Sequence, residues 1–161
     1  MDIRPLQPPD YSRVQVIYQA GIDTEQATFE TKAPEWTDWD RKFLPSFRMV
    51  AVEEQEVIGW VALSSVSDRC IYAGVCEVSC YIDPAHRGKR IGSRLLQDMV
   101  LLSESKSIWT LQAGIFPQNV ASLSLHRSAG FREVGYREKI GKLNGKWKDV
   151  VLLERRSSLL F

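Results

Sequence analysis

The chain has 161 residues, of which 44% are hydrophobic and 25% are charged, and its formal net charge is +1 at pH 7. That length suits one domain, residues 1–161, with a substantial core, and the balanced charge argues against a nucleic-acid partner. No apolar run is long enough to cross a membrane, and the N-terminal MDIRPLQPPD lacks the apolar stretch of a signal peptide. We therefore expect a soluble, cytoplasmic protein with no membrane partner.

The hydrophobic pattern alternates between strand and helix periods along the whole chain, without internal repeats. Helices are predicted at residues 11–20, after Gly92 and at residues 119–129, and strands at residues 3–6, 48–52, 57–64, 75–82, 108–116, 131–140 and 147–155. The polar stretch 21–40 contains Phe29, Trp36 and Trp39 and is assigned no helix or strand. The pair Asn144-Gly145 predicts a hairpin between the last two strands. Only one layered α/β domain fits this order.

The three cysteines, Cys70, Cys76 and Cys80, form no C-x-x-C pair and are odd in number. This usage is typical of a reducing compartment without structural disulfides. In an extended strand Cys76 and Cys80 would lie roughly 13 Å apart, at about 3.3 Å per residue, which is too far to share one metal ion. We expect small buried side chains and no metal site, with a nucleophilic Cys80 as the alternative.

The most informative segment is residues 81–96, YIDPAHRGKRIGSRLL, in which a strand runs through a basic, glycine-containing turn into a helix. The first N–H groups of such a helix have no internal acceptor and carry the positive end of its dipole, so they can bind a diphosphate. Neither G-x-x-x-x-G-K-[ST] nor G-x-G-x-x-G is present, which argues against a P-loop ATPase and a dinucleotide fold. An ordinary basic turn is the alternative.

A second informative segment is residues 119–131, NVASLSLHRSAGF. Asn119 could simply cap a helix, and Gly130 could simply end it. However, Asn119, Ser122 and His126 fall on one helical face, where they would line a ligand with polar groups. An isolated histidine is more often structural than catalytic, so both interpretations of His126 stay open.

The two segments together resemble the two signatures of the GNAT acyltransferase superfamily. Residues 87–92 are similar to its acetyl-CoA diphosphate loop, except that Arg90 stands where the first family glycine is expected. Residues 119–131 resemble the helix beside the pantetheine arm, with His126 in place of the usual tyrosine that is proposed to protonate the CoA thiolate. The resemblance implies an α/β (α+β) fold: a mixed, largely antiparallel twisted sheet of about six or seven strands with helices on both faces.

The same resemblance implies acetyl-CoA as cosubstrate. The diphosphate would bind the loop, and the backbone of the strand at Tyr81 and Ile82 would align the pantetheine and polarise the thioester carbonyl. We expect the amide of Arg90 to face the diphosphate, with its guanidinium toward solvent or a phosphate. The residues implied in coenzyme binding are Tyr81, Ile82, Arg87, Gly88, Lys89, Arg90, Ile91, Gly92, Ser93, Asn119 and Ser122.

A narrower resemblance covers nearly the whole chain. Residues 28–31, Arg69 with Tyr72, residues 77–81 and residues 145–150 are similar to the phosphinothricin acetyltransferase family, which includes bacterial enzymes that N-acetylate methionine sulfone and methionine sulfoximine. This resemblance implies transfer to the α-amino group of a small amino acid analogue, and a homodimer. Phe29 would line the side-chain pocket, while Arg69 would bind the carboxylate with a supporting hydroxyl from Tyr72.

The chemistry of amine acetylation then assigns the catalytic residues. An α-amino group must lose a proton before it attacks a thioester, so a base nearby helps. Glu77 shares a strand face with Ser79 and Tyr81 and matches the proposed base of the family, while His126 would return a proton to the thiolate. Because a carboxylate is a weak base for an ammonium, Glu77 is expected to work from a buried environment or through one water.

Two alternatives remain open. The same residues could acetylate another small amine, such as a polyamine or an aminoglycoside, or a protein N-terminus. Arg90 could instead mark a non-catalytic acyl-CoA-binding sensor, although Glu77 and His126 argue against that reading.

Overall fold

The computed structural model describes residues 1–161, which form seven strands in one sheet and four α-helices. The strands are β1 Asp2–Pro5, β2 Arg48–Glu53, β3 Glu56–Ser65, β4 Val75–Ile82, β5 Thr110–Ile115, β6 Arg132–Leu143 and β7 Lys146–Arg156. The helices are α1 Tyr11–Asp23, α2 Trp36–Lys42, α3 Ile91–Ser105 and α4 Val120–Ser128. The sheet order is β1-β2-β3-β4-β5-β7-β6. The predicted mixed, largely antiparallel sheet is confirmed.

Helices cover both faces of the sheet, and each face has its own core. On one face α3 contributes Leu95, Leu96 and Met99 to a cluster of aliphatic side chains that α4 also joins. On the other face α1 and α2 cover an aromatic cluster centred on Trp39 and Trp60, both fully buried. Burial of these side chains is the main stabilising term, at about 1.5–3 kcal/mol for each large one.

One helix, α2, begins in the polar stretch 21–40, to which the sequence assigns no helix or strand. It has only seven residues, so its apolar period is too short to be recognised. Its formation depends on tertiary packing, since Trp39 contacts the rings of Tyr11 and Trp60 at centroid distances of 5.3 and 5.6 Å. The sequence pattern therefore did not reveal this helix.

β4 and β5 are the only parallel neighbours in the sheet, and they separate after a short pairing. The pairing runs from Val75 opposite Thr110 to Glu77 opposite Gln112 and then ends, although β4 continues beside β3 as far as Ile82. Beyond Glu77 the edge of β4 that faces β5 has no strand partner. Its main-chain polar groups on that side therefore border a gap inside the sheet.

The side chains of β4 alternate between the two faces, as the sequence predicts. Cys76 and Val78 are buried in the aliphatic cluster, and Cys80 packs against it. Tyr81 points to the other face, where its ring stacks on Trp60 with centroids 5.0 Å apart. Tyr81 is therefore a member of the aromatic core as well as part of the strand that borders the gap.

The β6–β7 hairpin carries an irregularity that matters for the site. Its turn, Asn144-Gly145, has positive φ at both residues, 48° and 78°, which confirms the hairpin prediction. The register shifts between Arg137 and Gly141. Lys139 in that bulge has φ 47°, and its N–H donates to Asp149 Oδ1 at 2.7 Å.

Candidate active site

The gap between β4 and β5 opens into a cavity of about 870 Å³, here called the larger cavity. Its walls come from β4, β5, the turn before α3 and one face of α4. The two sequence signatures, far apart along the chain, therefore border the same cavity. A cavity of this size can hold an extended small molecule.

The turn before α3 has the properties of an anion site. None of the main-chain N–H groups of residues 87–93 donates to an acceptor within the chain. Gly88 has φ +79° and Arg90 has φ +60°, and left-handed residues in such a turn form a concave group of N–H donors. This group lies at the N-terminus of a 15-residue helix, whose dipole favours a negative charge there.

The backbone conformation of Arg90 explains why the family pattern has a glycine at this position. Arg90 is the residue before α3 and adopts the left-handed conformation, φ 60° and ψ 19°, which glycine occupies without steric cost and other residues do not. The side chain is exposed and borders the larger cavity. The substitution therefore keeps the backbone shape of the loop and adds a guanidinium at the cavity rim.

The other basic residues of the turn differ in their surroundings. Arg87 is exposed and borders the larger cavity. Lys89 does not border it, and its Nζ lies 3.8 Å from a carboxylate oxygen of Glu53. Gly92 lies where α3 packs closely on its neighbours, since a Cβ there would be 3.2 Å from Leu125 Cδ2. This contact explains the preference for a small residue at the end of the loop.

The predicted polar face of α4 lines the larger cavity, with Asn119, Ser122 and His126 among its residues. Asn119 caps the helix, because its Oδ1 accepts the N–H of Ser122 at 3.2 Å. Its Nδ2 also donates to the carbonyl oxygen of Gln26 at 3.2 Å. Asn119 thus joins α4 to the loop after α1, so the structural and the ligand-lining interpretations of this residue are compatible.

His126 is buried, at 4% exposure, and its ring is held in one orientation. Its Nδ1 lies 2.8 Å from the carbonyl oxygen of Ser122, and because a carbonyl only accepts, Nδ1 carries the proton. Nε2 is buried and has no hydrogen-bond partner in the chain. Burial lowers the pKa of His126, and the Ser122 hydrogen bond opposes that shift. The ring is therefore neutral, with a lone pair at Nε2.

A second cavity of about 540 Å³, the smaller cavity, adjoins the larger one. The two cavities share Phe29, Glu77, Gly114 and Val150. Glu77 is half-buried and makes no ion pair, and it stands at the last position at which β4 pairs with β5. The predicted base is thus the one carboxylate that borders both cavities.

Phe29 is fixed between two elements. Its ring meets that of Phe116 edge to face, with centroids 4.9 Å apart, and it lies against Gly141, where a Cβ would be 3.0 Å from the ring. The predicted pocket residue therefore does line the cavity that contains Glu77. Its position depends on the absence of a side chain at residue 141.

The two other residues predicted to bind substrate lie elsewhere. Arg69 and Tyr72 are exposed on the segment before β4 and border neither cavity. The guanidinium of Arg69 lies over the Tyr72 ring, 5.5 Å from its centroid. Within the described chain they are not brought together with Glu77, and their role in carboxylate binding stays a prediction.

Arg137 and Gln112 line the smaller cavity with Glu77, and sequence reasoning missed both. Gln112 pairs with Glu77 across the parallel strands. Arg137 comes from β6, at the start of the bulge. No local pattern marks either residue, because each reaches the cavity only through strand pairing.

The cysteines are all free thiols. Burial raises the pKa of the Cys80 thiol to about 12, so it is protonated at neutral pH and a weak nucleophile. No group of three or more His, Cys, Asp or Glu side chains is arranged to hold a metal ion. No helix combines the length and the apolar character needed to cross a membrane.

The anion-binding turn, the unpaired edge of β4 and Glu77 border one cavity, as the resemblance to a coenzyme A-dependent acyltransferase implies. Residues 13–131 match the profile of the acetyltransferase (GNAT) family, and the chain belongs to this family. The family resemblance drawn from the two signatures is thereby confirmed.

Within this family, the chain is similar to acetyltransferases of small amino acid analogues, both in sequence and in structure. The chain is 33% identical to a phosphinothricin N-acetyltransferase of Streptomyces coelicolor over 136 residues, which is 83% of this chain and 79% of the relative. It is 26% identical to an L-methionine sulfoximine/L-methionine sulfone acetyltransferase of Salmonella typhimurium, over 86% of this chain and 81% of the relative. A crystal structure of a GNAT phosphinothricin acetyltransferase from Sinorhizobium meliloti in complex with acetyl-CoA superposes with a TM-score of 0.88 at 27% identity, covering 96% and 87% of the two chains.

Proposed function

We propose that this protein is an acetyl-CoA-dependent N-acetyltransferase acting on the α-amino group of a small amino acid analogue of the phosphinothricin, methionine sulfone or methionine sulfoximine type. The observation that carries the proposal is the junction of two cavities at Glu77. One cavity borders an anion-binding turn, and the other, at about 540 Å³, lies in the size range of small-molecule pockets. The names of the relatives support this substrate class.

The residues present fit the coenzyme. The free N–H groups of residues 87–93 would hold the diphosphate, with Arg87 and Arg90 as the exposed guanidinium groups at the rim. The unpaired edge of β4 up to Ile82 would hydrogen-bond the pantetheine arm. Acetyl-CoA, when bound, supplies a thioester whose carbonyl carbon accepts the amine.

The amine enters from the smaller cavity. In this proposal Glu77 takes the proton of the ammonium, directly or through one water, and leaves a free amine with a lone pair. The amine nitrogen then forms its bond to the carbonyl carbon, and the carbon–sulfur bond breaks. In this proposal transfer is direct within a ternary complex, and the raised pKa of the buried Cys80 thiol, about 12, argues against an acetyl-enzyme on that residue.

His126 completes the proton balance. The attacking nitrogen loses a second proton when the amide forms, and the thiolate must gain one. Because the ring is neutral and protonated at Nδ1, it can give a proton only after Nε2 has received one. We therefore assign Nε2 as acceptor of the second amine proton and its donor to the departing thiolate.

An acetyl-transfer screen with a thiol readout tests the proposal. The panel contains phosphinothricin, methionine sulfone, methionine sulfoximine, a polyamine, an aminoglycoside and a peptide with a free N-terminus. We expect thiol release with the amino acid analogues. A preference for the amines without a carboxylate would overturn the substrate class, and tight acetyl-CoA binding with no thiol release would indicate a sensor.

We also propose that the protein is a cytoplasmic homodimer. The β6–β7 hairpin is at the edge of the sheet and exposes Val134, Tyr136, Ile140 and Trp147, which is consistent with a partner surface. Light scattering behind a sizing column, on the native chain and on Trp147→Glu, measures the assembly state. A monomeric native protein would contradict this part of the proposal.

A further inference from the structure

The smaller cavity contains one cationic side chain, Arg137. We propose that Arg137 binds an anionic group of the amine substrate while Glu77 faces its ammonium. The inference rests on the proposed function for the identity of the amine, but it concerns a residue to which neither the sequence signatures nor the family resemblance assigns a role.

The charge of Arg137 is unused within the chain. Nearby arginines have acidic partners: Arg132 pairs with Glu154, and Arg155 donates to Glu104 at 2.8 Å. Arg137 makes no ion pair and donates no side-chain hydrogen bond. A planar guanidinium without a carboxylate partner can bind a carboxylate or phosphinate through two parallel hydrogen bonds.

The backbone that carries Arg137 is fixed relative to the rest of the cavity. Asp149 on β7 holds the bulge by accepting the N–H of Lys139 and the hydroxyl of Tyr136. Gly141, at the other end of the bulge, lies against the Phe29 ring. A cation on such a support is a better specificity element than one on a free loop, because less order is lost on binding.

The remaining lining suits an amphipathic amino acid. The lining also includes the apolar residues Val66, Ile140 and Leu152 and the uncharged polar residue Gln112. A ligand with separated positive and negative groups and a short chain between them complements a cavity with Glu77 and Arg137 on its walls. Arg69, the anchor expected from the resemblance, borders neither cavity.

Two groups of the substrate could supply the anion, namely the α-carboxylate and an acidic side chain such as the phosphinate of phosphinothricin. Four probes separate them: phosphinothricin, methionine sulfone and the α-carboxamide of each. Affinities are measured by calorimetry with CoA present, and kcat/KM is measured by thiol release. The variants are Arg137→Gln, Arg137→Lys and Arg69→Gln. Lys146→Gln, which removes an exposed charge from the same hairpin outside both cavities, is the matched control.

We expect Arg137→Gln to weaken the probes that carry the recognised anion by about 10- to 100-fold and to leave the others nearly unchanged. Weaker binding of phosphinothricin and methionine sulfone, with both α-carboxamides unaffected, identifies the α-carboxylate as the recognised anion. Weaker binding of phosphinothricin and its α-carboxamide, with methionine sulfone and its α-carboxamide unaffected, identifies the acidic side chain as the recognised anion. Arg137→Lys should recover part of the loss, and Lys146→Gln should match the native protein.

The inference is overturned if Arg137→Gln affects all four probes equally or affects none of them. It is also overturned if only Arg69→Gln removes the difference in affinity between the probes with and without the recognised anion. Failure of the native protein to bind any of the four probes also overturns it. If the native protein binds them without releasing thiol, the proposed acetyl transfer fails, while the calorimetric comparison still decides the role of Arg137.

Discussion

His126 donates its Nδ1 proton to the carbonyl oxygen of Ser122, one turn earlier in α4, over 2.8 Å. The contact fixes the tautomer, and burial keeps the ring neutral. A histidine in this state has a basic nitrogen at Nε2 and no proton to give from it. The predicted role as proton donor to the thiolate therefore requires that Nε2 first receive a proton during the reaction.

The same burial makes the stability of the fold depend on pH. The pKa of His126 is lowered from 6.5 in the folded protein, so the unfolded chain binds the proton more tightly. The contribution of the neutral His126 ring to the free energy of unfolding is fully present above about pH 6.5 and is lost as the pH falls below that value. We expect the free energy of unfolding to fall less steeply between about pH 7 and 5 in His126→Gln than in the native protein.

Urea unfolding at several pH values measures this difference. The control is His86→Gln, which removes the other histidine and retains the contribution of His126. Equal pH slopes for His126→Gln and the native protein would show that His126 is not a buried neutral ring.

Glu77 should be needed for the chemical step and not for coenzyme binding. We expect Glu77→Gln to lower kcat by about 100-fold or more, the usual contribution of a positioned base, and to leave the affinity for acetyl-CoA unchanged. Stopped-flow thiol release and calorimetry measure the two quantities. Glu54→Gln, in the exposed β2–β3 turn, should behave as the native protein. Native kcat for Glu77→Gln at saturating substrate and optimal pH would remove Glu77 from the mechanism.

Gly141 should control the amine site through Phe29. A Cβ at residue 141 would lie 3.0 Å from the Phe29 ring, so Gly141→Ala must displace the ring. We expect kcat/KM for the amine to fall by about tenfold, in the range that a small change in pocket shape produces, with acetyl-CoA affinity unchanged. Gly135→Ala is the matched control, because it lies on the same strand and a Cβ there meets nothing within 4 Å. Similar losses in both variants would mean that strand β6, and not Phe29, is responsible.

The sequence could predict the coenzyme side of the site because its signatures are local. A turn between β4 and α3 and a helix face at Asn119 and His126 are each encoded within a dozen or so residues. Strand alternation placed Glu77 on one face with Ser79 and Tyr81, and the family resemblance gave it the role of base. The positions of these groups follow from the period of each element and the order of elements along the chain, and their role in coenzyme binding came from the family resemblance.

Apart from Phe29, the amine side could not be predicted, because it is assembled by long-range pairing. Arg137 enters the cavity through a bulge that a hydrogen bond from Lys139 to Asp149 maintains, and no pattern within β6 indicates a register shift. Helix α2 depends on the burial of Trp39 between two other elements. The tautomer of His126 follows from burial and from one carbonyl, neither of which is visible in the order of residues.

Arg90 offers a test that separates backbone shape from side-chain charge. Its φ of +60° costs a residue with a Cβ roughly 1–2 kcal/mol relative to glycine, partly offset by the greater freedom of glycine in the unfolded chain. We expect Arg90→Gly to raise the free energy of unfolding by about 0.5–1 kcal/mol and Arg90→Ala to give no such gain. Both variants should weaken acetyl-CoA binding by about 2- to 5-fold, the range of an exposed ion pair.

Denaturant titration and calorimetry with acetyl-CoA measure the two effects. Arg94→Ala, which removes the next exposed arginine and its ion pair with Asp98, should leave coenzyme affinity at the native value. A tighter complex in Arg90→Gly would mean that the guanidinium hinders the diphosphate. Equal stabilities of Arg90→Gly and Arg90→Ala would mean that the left-handed backbone of the loop carries no strain, because only the glycine variant relieves it.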